Sequence, residues 1–172
     1  MRFVDEVAAA EIGGTFNFYR SGPRARLLKR RLERYLEAGS GARFLLVGEA
    51  PGYRGARVSG LPFTSERQLT GAGPAEASAT VVRRVLAELE LEAEVLCWNV
   101  VPTHPGDERS NRKPTAAEVA GGRPFLARLT EGREVIAVGR LAEAVTGAQY
   151  VRHPSHGGAA EFAAALARLL VA

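Results

Sequence analysis

Three short apolar runs, each ending abruptly in a polar or glycine-rich turn, constrain this chain more than any other feature. Residues 43–47 read RFLLV, 95–101 read VLCWNVV and 135–138 read VIAV. Each is too short for a helix, rich in β-branched or aromatic residues, and bounded by Gly, Pro or charge, the pattern of strands buried on both faces. The stretches between them carry a helical period instead. Over residues 23–37, Leu27, Leu28, Leu32, Tyr35 and Leu36 fall on one face with arginines opposite, and Gly39 stops the pattern. Residues 74–89 repeat it through Val81, Val82, Val85, Leu86 and Leu89. Thr115 and Glu118 form a capping box opening a further helix, which Gly121, Gly122 and Pro124 are expected to break. Shorter helical segments follow at 141–145 and 161–170, and Tyr150-Val151 supplies a fourth, short strand.

Strands that alternate with helices in this way predict an α/β fold, a three-layer α/β/α sandwich around a central four-stranded parallel sheet. The 172 residues suit one domain able to bury a core without disulfides, with residues 1–20 as a loosely attached N-terminal arm. In such sheets ligands bind outside the carboxyl ends of the strands. The loops after Val47, Trp98 and Val151 are therefore expected to converge on one cleft.

Net charge is +4 with an isoelectric point near 9.7, and the only lysines are Lys29 and Lys113. Arginine forks match phosphate geometry and suit a polyanionic partner, although codon usage in a GC-rich genome produces the same bias. Cys97 is the only cysteine, which excludes a disulfide framework and a cysteine-held metal or cluster, and fits a reducing cytoplasm. No stretch approaches the roughly 18 apolar residues of a membrane span and no secretory signal pattern opens the chain, so a soluble cytoplasmic protein is expected.

The polar loops carry the candidate chemistry. Residues 48–55 read GEAPGYRG directly after a strand; the glycines permit tight turns whose N–H groups can face an anion, and Glu49 falls at the rim of the sheet. The spacing fits neither a P-loop nor a dinucleotide fingerprint. In the loop 60–65, GLPFTS, Phe63 is either a stacking platform for a planar base or core. Asn99 ends an apolar strand, where a buried amide needs matched partners: it either caps its own turn or offers one donor and one acceptor edge, complementary to uracil O4 and N3–H. Residues 110–115, SNRKPT, place two cations at a helix N-terminus, a phosphate-contact pattern or a solvated loop. Residues 152–158, RHPSHGG, form a polar, turn-rich loop in which His153 can donate to a leaving base and Ser155 can bind a phosphate.

Taken in order, Gly48 to Gly52, Pro62-Phe63, Asn99-Val100-Val101, Asn111-Arg112 with Pro114-Thr115 and Glu118, and His153-Pro154-Ser155 resemble the motifs of the uracil-DNA glycosylase superfamily. The nearest resemblance is to its GEAPG-bearing branch, whose members usually carry an iron–sulfur cluster. This chain lacks the cysteines and looks like a cluster-free relative. Two further departures are Gly157-Gly158, where the enzymes with known activity often have a bulky residue, and Tyr53, which has no clear counterpart in that branch and can block a thymine methyl group.

The resemblance implies a monofunctional DNA-repair glycosylase, acting as a monomer on DNA that contains a deaminated base, with no metal, iron–sulfur cluster or diffusible cofactor. It implies Glu49 and His153 as catalytic residues and Ala50, Tyr53, Phe63 and Asn99 as base contacts. Ser65, Arg112, Arg152, Ser155 and His156 are implied as phosphate contacts. Two other readings stand beside it: a non-catalytic damage-sensing protein of the same fold, and a small-molecule or nucleotide hydrolase, since fold alone does not fix chemistry.

Overall fold

The computed structural model describes residues 2–171. Its four strands, β1 (Phe44–Gly48), β2 (Val95–Asn99), β3 (Glu134–Val138) and β4 (Gln149–Val151), form one sheet in the order β2-β1-β3-β4, every pair parallel. The sandwich read from the sequence is the fold observed. Alternate residues of β1 face opposite cores: Leu45 and Val47 join one apolar cluster, Phe44 and Leu46 the other. Helices α1 (Phe3–Ala9), α2 (Ala25–Ala38), α6 (Ala116–Thr130) and α7 (Arg140–Thr146) contribute to the first cluster. The second is built on α5 (Ala77–Glu88) and α8 (Ala159–Leu170) through Val82, Val85, Leu86, Phe162 and Leu166. Each such buried side chain stabilises the fold by roughly 1.5–3 kcal/mol. Short helices α3 (Ala56–Ser59) and α4 (Glu66–Thr70) fill the long connection from β1 to α5.

Although β2 lies at an edge, all five of its residues are buried. Tyr35 of α2 covers the edge: its hydroxyl accepts from the Cys97 N–H at 2.7 Å and faces the Cys97 carbonyl at 3.4 Å. Backbone groups that would otherwise template another strand are thereby occupied.

Three expectations need correction. Of the expected loose arm over residues 1–20, the described residues 2–20 are firmly attached. Val4, Val7, Ile12, Phe18 and Tyr19 are buried, the Asn17 amide donates to the carbonyls of Val7 (2.8 Å) and Ala10 (3.0 Å), and Phe16 exchanges two backbone hydrogen bonds with His104. Helix α6 runs unbroken through Gly121, Gly122 and Pro124. Gly122 lets the helix lie directly on the loop after β2, where a Cβ would stand 2.1 Å from the Val100 carbonyl oxygen. Packing of Leu126 and Leu129 and the Thr115–Glu118 capping box outweigh the N–H that Pro124 lacks. Finally, β2 ends at Asn99 rather than Val101, although Val100 and Val101 still donate to the carbonyls of Gly48 (2.8 Å) and Glu49 (3.1 Å), which welds the two loops together at their start.

Candidate active site

The loops following β1, β2 and β4 meet, as their position at the carboxyl ends of a parallel sheet predicts, around a cavity of about 500 Å³. Glu49, Ala50, Phe63, Asn99 and His153 all line it.

Gly48, the last residue of β1, sets its floor. A Cβ there would lie 2.5 Å from Phe63 Cζ and 2.8 Å from Asn99 Oδ1, so the missing side chain is what allows ring and amide to close over the strand end. Phe63 takes φ of +48°, a left-handed conformation costing a non-glycine residue about 1–3 kcal/mol. Arg83 of α5 holds it there, donating from Nε to the Phe63 carbonyl (3.2 Å) and from Nη2 to the Pro62 carbonyl (3.1 Å) and Thr64 Oγ1 (2.6 Å). Phe63 thus satisfies both readings of it: its ring belongs to the second core and also forms cavity wall.

Asn99 is buried, yet among the described residues its side-chain amide makes no hydrogen bond while facing the cavity. It does not cap its own turn. Its donor and acceptor edges open on the cavity and are free for a ligand edge of matching polarity. The Glu49 side chain, half-buried and without a hydrogen-bond partner among the described residues, has its pKa raised by burial, with the Lys113 ammonium pulling the other way. The N–H groups of Ala50 and Gly52 donate to no other described backbone carbonyl outside helices and strands. The preceding turn is pinned by the fully buried His104, whose Nδ1 lies 2.7 Å from the Pro51 carbonyl oxygen and whose Nε2 lies 2.8 Å from that of Asp107.

On the opposite wall the Ser155 N–H, which can only donate, points at His153 Nδ1 from 3.2 Å, with Ser155 Oγ at 2.7 Å. Nδ1 therefore accepts, and the neutral ring carries its proton on Nε2, the nitrogen left free for the cavity. Burial first, and the neighbouring His156 second, lower the His153 pKa and favour that neutral form. His156, at φ of +52°, closes the relay with Nδ1 3.0 Å from Ser155 Oγ.

The other expected contacts are placed unevenly. Ser65 is fully buried, its hydroxyl accepting from the Glu76 N–H at 2.8 Å and capping α4, so it is not a phosphate contact. Tyr53 does not line the cavity; its N–H donates to Asn111 Oδ1 at 2.9 Å. Arg112 reaches the cavity, but both its terminal nitrogens engage Glu118 at 2.8 and 2.6 Å. That ion pair, with the Thr115 and Gly14 N–H groups, holds the buried Glu118 carboxyl down to a pKa of about 2. Arg152 pairs with Glu161 and donates to the His156 carbonyl at 3.2 Å, bracing the loop rather than lining the cavity. Ser155 and His156 do line it. Lys113, one of the two cations of the phosphate-contact pattern read in residues 110–115, lines the wall. Sequence reasoning missed Glu76 on the cavity wall and Arg83 behind it.

The uracil DNA glycosylase superfamily model matches residues 36–169, and the chain belongs to that superfamily. No curated protein matches the sequence. Among solved structures, the fold is similar to the crystal structure of wild-type SMUG2 from Pedobacter heparinus, with a TM-score of 0.66 and 16% identity over 100% of both chains.

Proposed function

We propose that this protein is a monofunctional DNA glycosylase that hydrolyses the N-glycosidic bond of a deaminated base, uracil foremost, and leaves an abasic site. The observation that carries this reading is the convergence of Glu49, Phe63, Asn99 and His153 on one cavity, where the Glu49 carboxyl, the Asn99 amide and His153 Nε2 have no hydrogen-bond partner among the described residues. A glycosidic bond inside a duplex is not accessible, so the damaged nucleotide swings out of the stack into the cavity. The Phe63 ring stacks on the base, and the Asn99 amide donates to uracil O4 and accepts from N3–H. Cytosine offers the reverse pattern and leaves both groups unsatisfied.

As the C1′–N bond lengthens, its electron pair moves to the base and the sugar becomes cationic. The ionised Glu49 carboxylate stabilises that cation and orients the water that attacks C1′. Nε2–H of neutral His153 and the N–H groups of Ala50 and Gly52 meet the charge growing on the base, so catalysis is electrostatic in the main. The Lys113 ammonium, which makes no ion pair among the described residues, and His156 are the groups best placed for flanking phosphates. His153→Ala should slow uracil release in single turnover by ~100-fold or more, the scale of losing an oxyanion-type donor, while leaving affinity for DNA nearly intact. Equal loss of affinity and rate would remove His153 from the chemistry.

One observation favours the damage-sensing reading as the second. Gly157 follows His156 at the loop tip with open space around it, so no bulky side chain fills the gap left by an extruded base. Tight binding to uracil-containing DNA without base release would establish that alternative.

A further inference from the structure

Glu76 lies on the cavity wall and has no part in the mechanism above. It is the N-cap residue of α5, and its backbone is fixed by the hydrogen bond to the buried Ser65 hydroxyl. From there the side chain runs beneath the turn that follows β1. A Cβ on Gly52 would stand 1.9 Å from Oε1, and one on Gly55 2.1 Å from Oε2. Gly52 does not take a positive φ, so its lack of a side chain makes room for this carboxyl rather than for an unusual backbone conformation. Among the described residues the carboxyl has neither a hydrogen bond nor an ion pair. The carboxyl is only partly buried and lines the cavity, so its unpartnered oxygens are open to a ligand there.

We propose that Glu76 is a further base-contacting residue, whose carboxyl hydrogen-bonds a carbonyl oxygen of the extruded base that Asn99 does not reach. The inference rests on the glycosylase reading of the cavity. An imide such as uracil carries two carbonyl groups on either side of one N–H, and a single side-chain amide that takes the N–H can serve only one of them. A carbonyl oxygen has two lone pairs, so the second carbonyl can accept from a further donor beside those already named. Burial raises the Glu76 pKa, opposed by the nearby Arg54 cation, so the carboxyl keeps its proton to higher pH than an ordinary glutamate and can be that donor. Its other charged or titratable surroundings on the cavity wall are Glu49 after β1, Arg112 and Lys113 before α6, and His153 and His156 after β4.

The test is affinity, measured by fluorescence anisotropy with the full chain and three duplexes: one bearing an uncleavable 2′-fluoroarabino-uridine, one a tetrahydrofuran abasic analogue and one undamaged. Glu76→Ala should weaken binding of the uracil duplex by about tenfold while changing abasic-site affinity less than about twofold, the scale of one lost hydrogen bond to the base. Gly52→Ala, whose new methyl group displaces the carboxyl, should do the same. Glu76→Gln keeps an N–H donor at every pH. It should therefore retain affinity and abolish the weakening that wild type shows as pH rises from mildly acid to alkaline. Equal weakening of uracil and abasic duplexes by Glu76→Ala, or a pH response identical in Glu76→Gln and wild type, would reduce Glu76 to a strut under the turn. Wild type binding the uracil duplex no better than the undamaged one would instead overturn the glycosylase reading, and this inference with it.

Discussion

Replacing Gly48 by Ala isolates the contact on which the site's geometry depends. Gly48 sits in a regular strand, where Ala is ordinarily favoured by roughly 0.5–1 kcal/mol because it loses less backbone entropy on folding. Here the added methyl group would stand 2.5 Å from Phe63 Cζ, 2.9 Å from Cε2 and 2.8 Å from Asn99 Oδ1. Restoring ordinary contact at 3.4 Å requires the ring to retreat by about 0.9 Å. Neither neighbour moves easily. Arg83 clamps the Phe63 backbone, and Asn99 is held in β2 by its pairing with Gly48. Overpacking of this kind costs about 1–3 kcal/mol, or roughly 2–12 °C of melting temperature for a chain of this size. A displacement near 1 Å in a group that positions the base should lower the single-turnover rate of uracil release by roughly 100-fold. Thermal denaturation and single-turnover kinetics on the same preparation give both numbers. A Gly48→Ala protein as stable as wild type, or more so, with an unchanged rate would refute the close approach of ring, amide and strand end.

Asn99→Asp removes the donor edge of the amide, so uracil release should fall by at least about tenfold and cytosine release become detectable; unchanged rate and selectivity would exclude Asn99 from base reading. Lys113→Met removes the cation that opposes the burial-raised pKa of Glu49. In the proposed mechanism the ionised carboxylate is the active form, so the rate is expected to fall as pH drops through that pKa. The variant's acid limb should therefore move to higher pH by roughly 0.2–0.7 unit, the scale of a partly exposed charge pair. A limb that stays in place or moves down would show that Lys113 and Glu49 do not share a field.

The sheet was legible because continuous apolar runs such as Leu45–Leu46–Val47 have few other uses, and the cleft followed from where a parallel sheet binds ligands. Helix α1 was not, since seven residues without a side-chain N-cap are held only by tertiary packing, including the reach of Asn17 back to Val7. The integrity of α6 was hidden for a similar reason: Gly122 breaks a helix in isolation, but here it allows close approach to the Val100 carbonyl. Within the site, loop motifs identified Glu49, Phe63, Asn99 and His153 as cavity residues without showing which polar groups would find internal partners. A hydroxyl that caps a helix, as in Ser65, reads the same as one that binds phosphate, and an arginine before a helix does not reveal that Glu118 occupies its fork. Glu76 and Arg83 lie in an amphipathic stretch whose pattern specifies only a helix; their roles come from the chain that folds over them.

Base release from matched oligonucleotides tests the central claim most directly. Each would carry a single uracil, hypoxanthine, xanthine or mismatched thymine, be incubated with purified wild-type protein, and be read by strand cleavage in alkali. The account predicts release of uracil, with an alkali-sensitive abasic site and no strand cleavage before alkali is added. Retention of all four bases at protein in excess over DNA would contradict it.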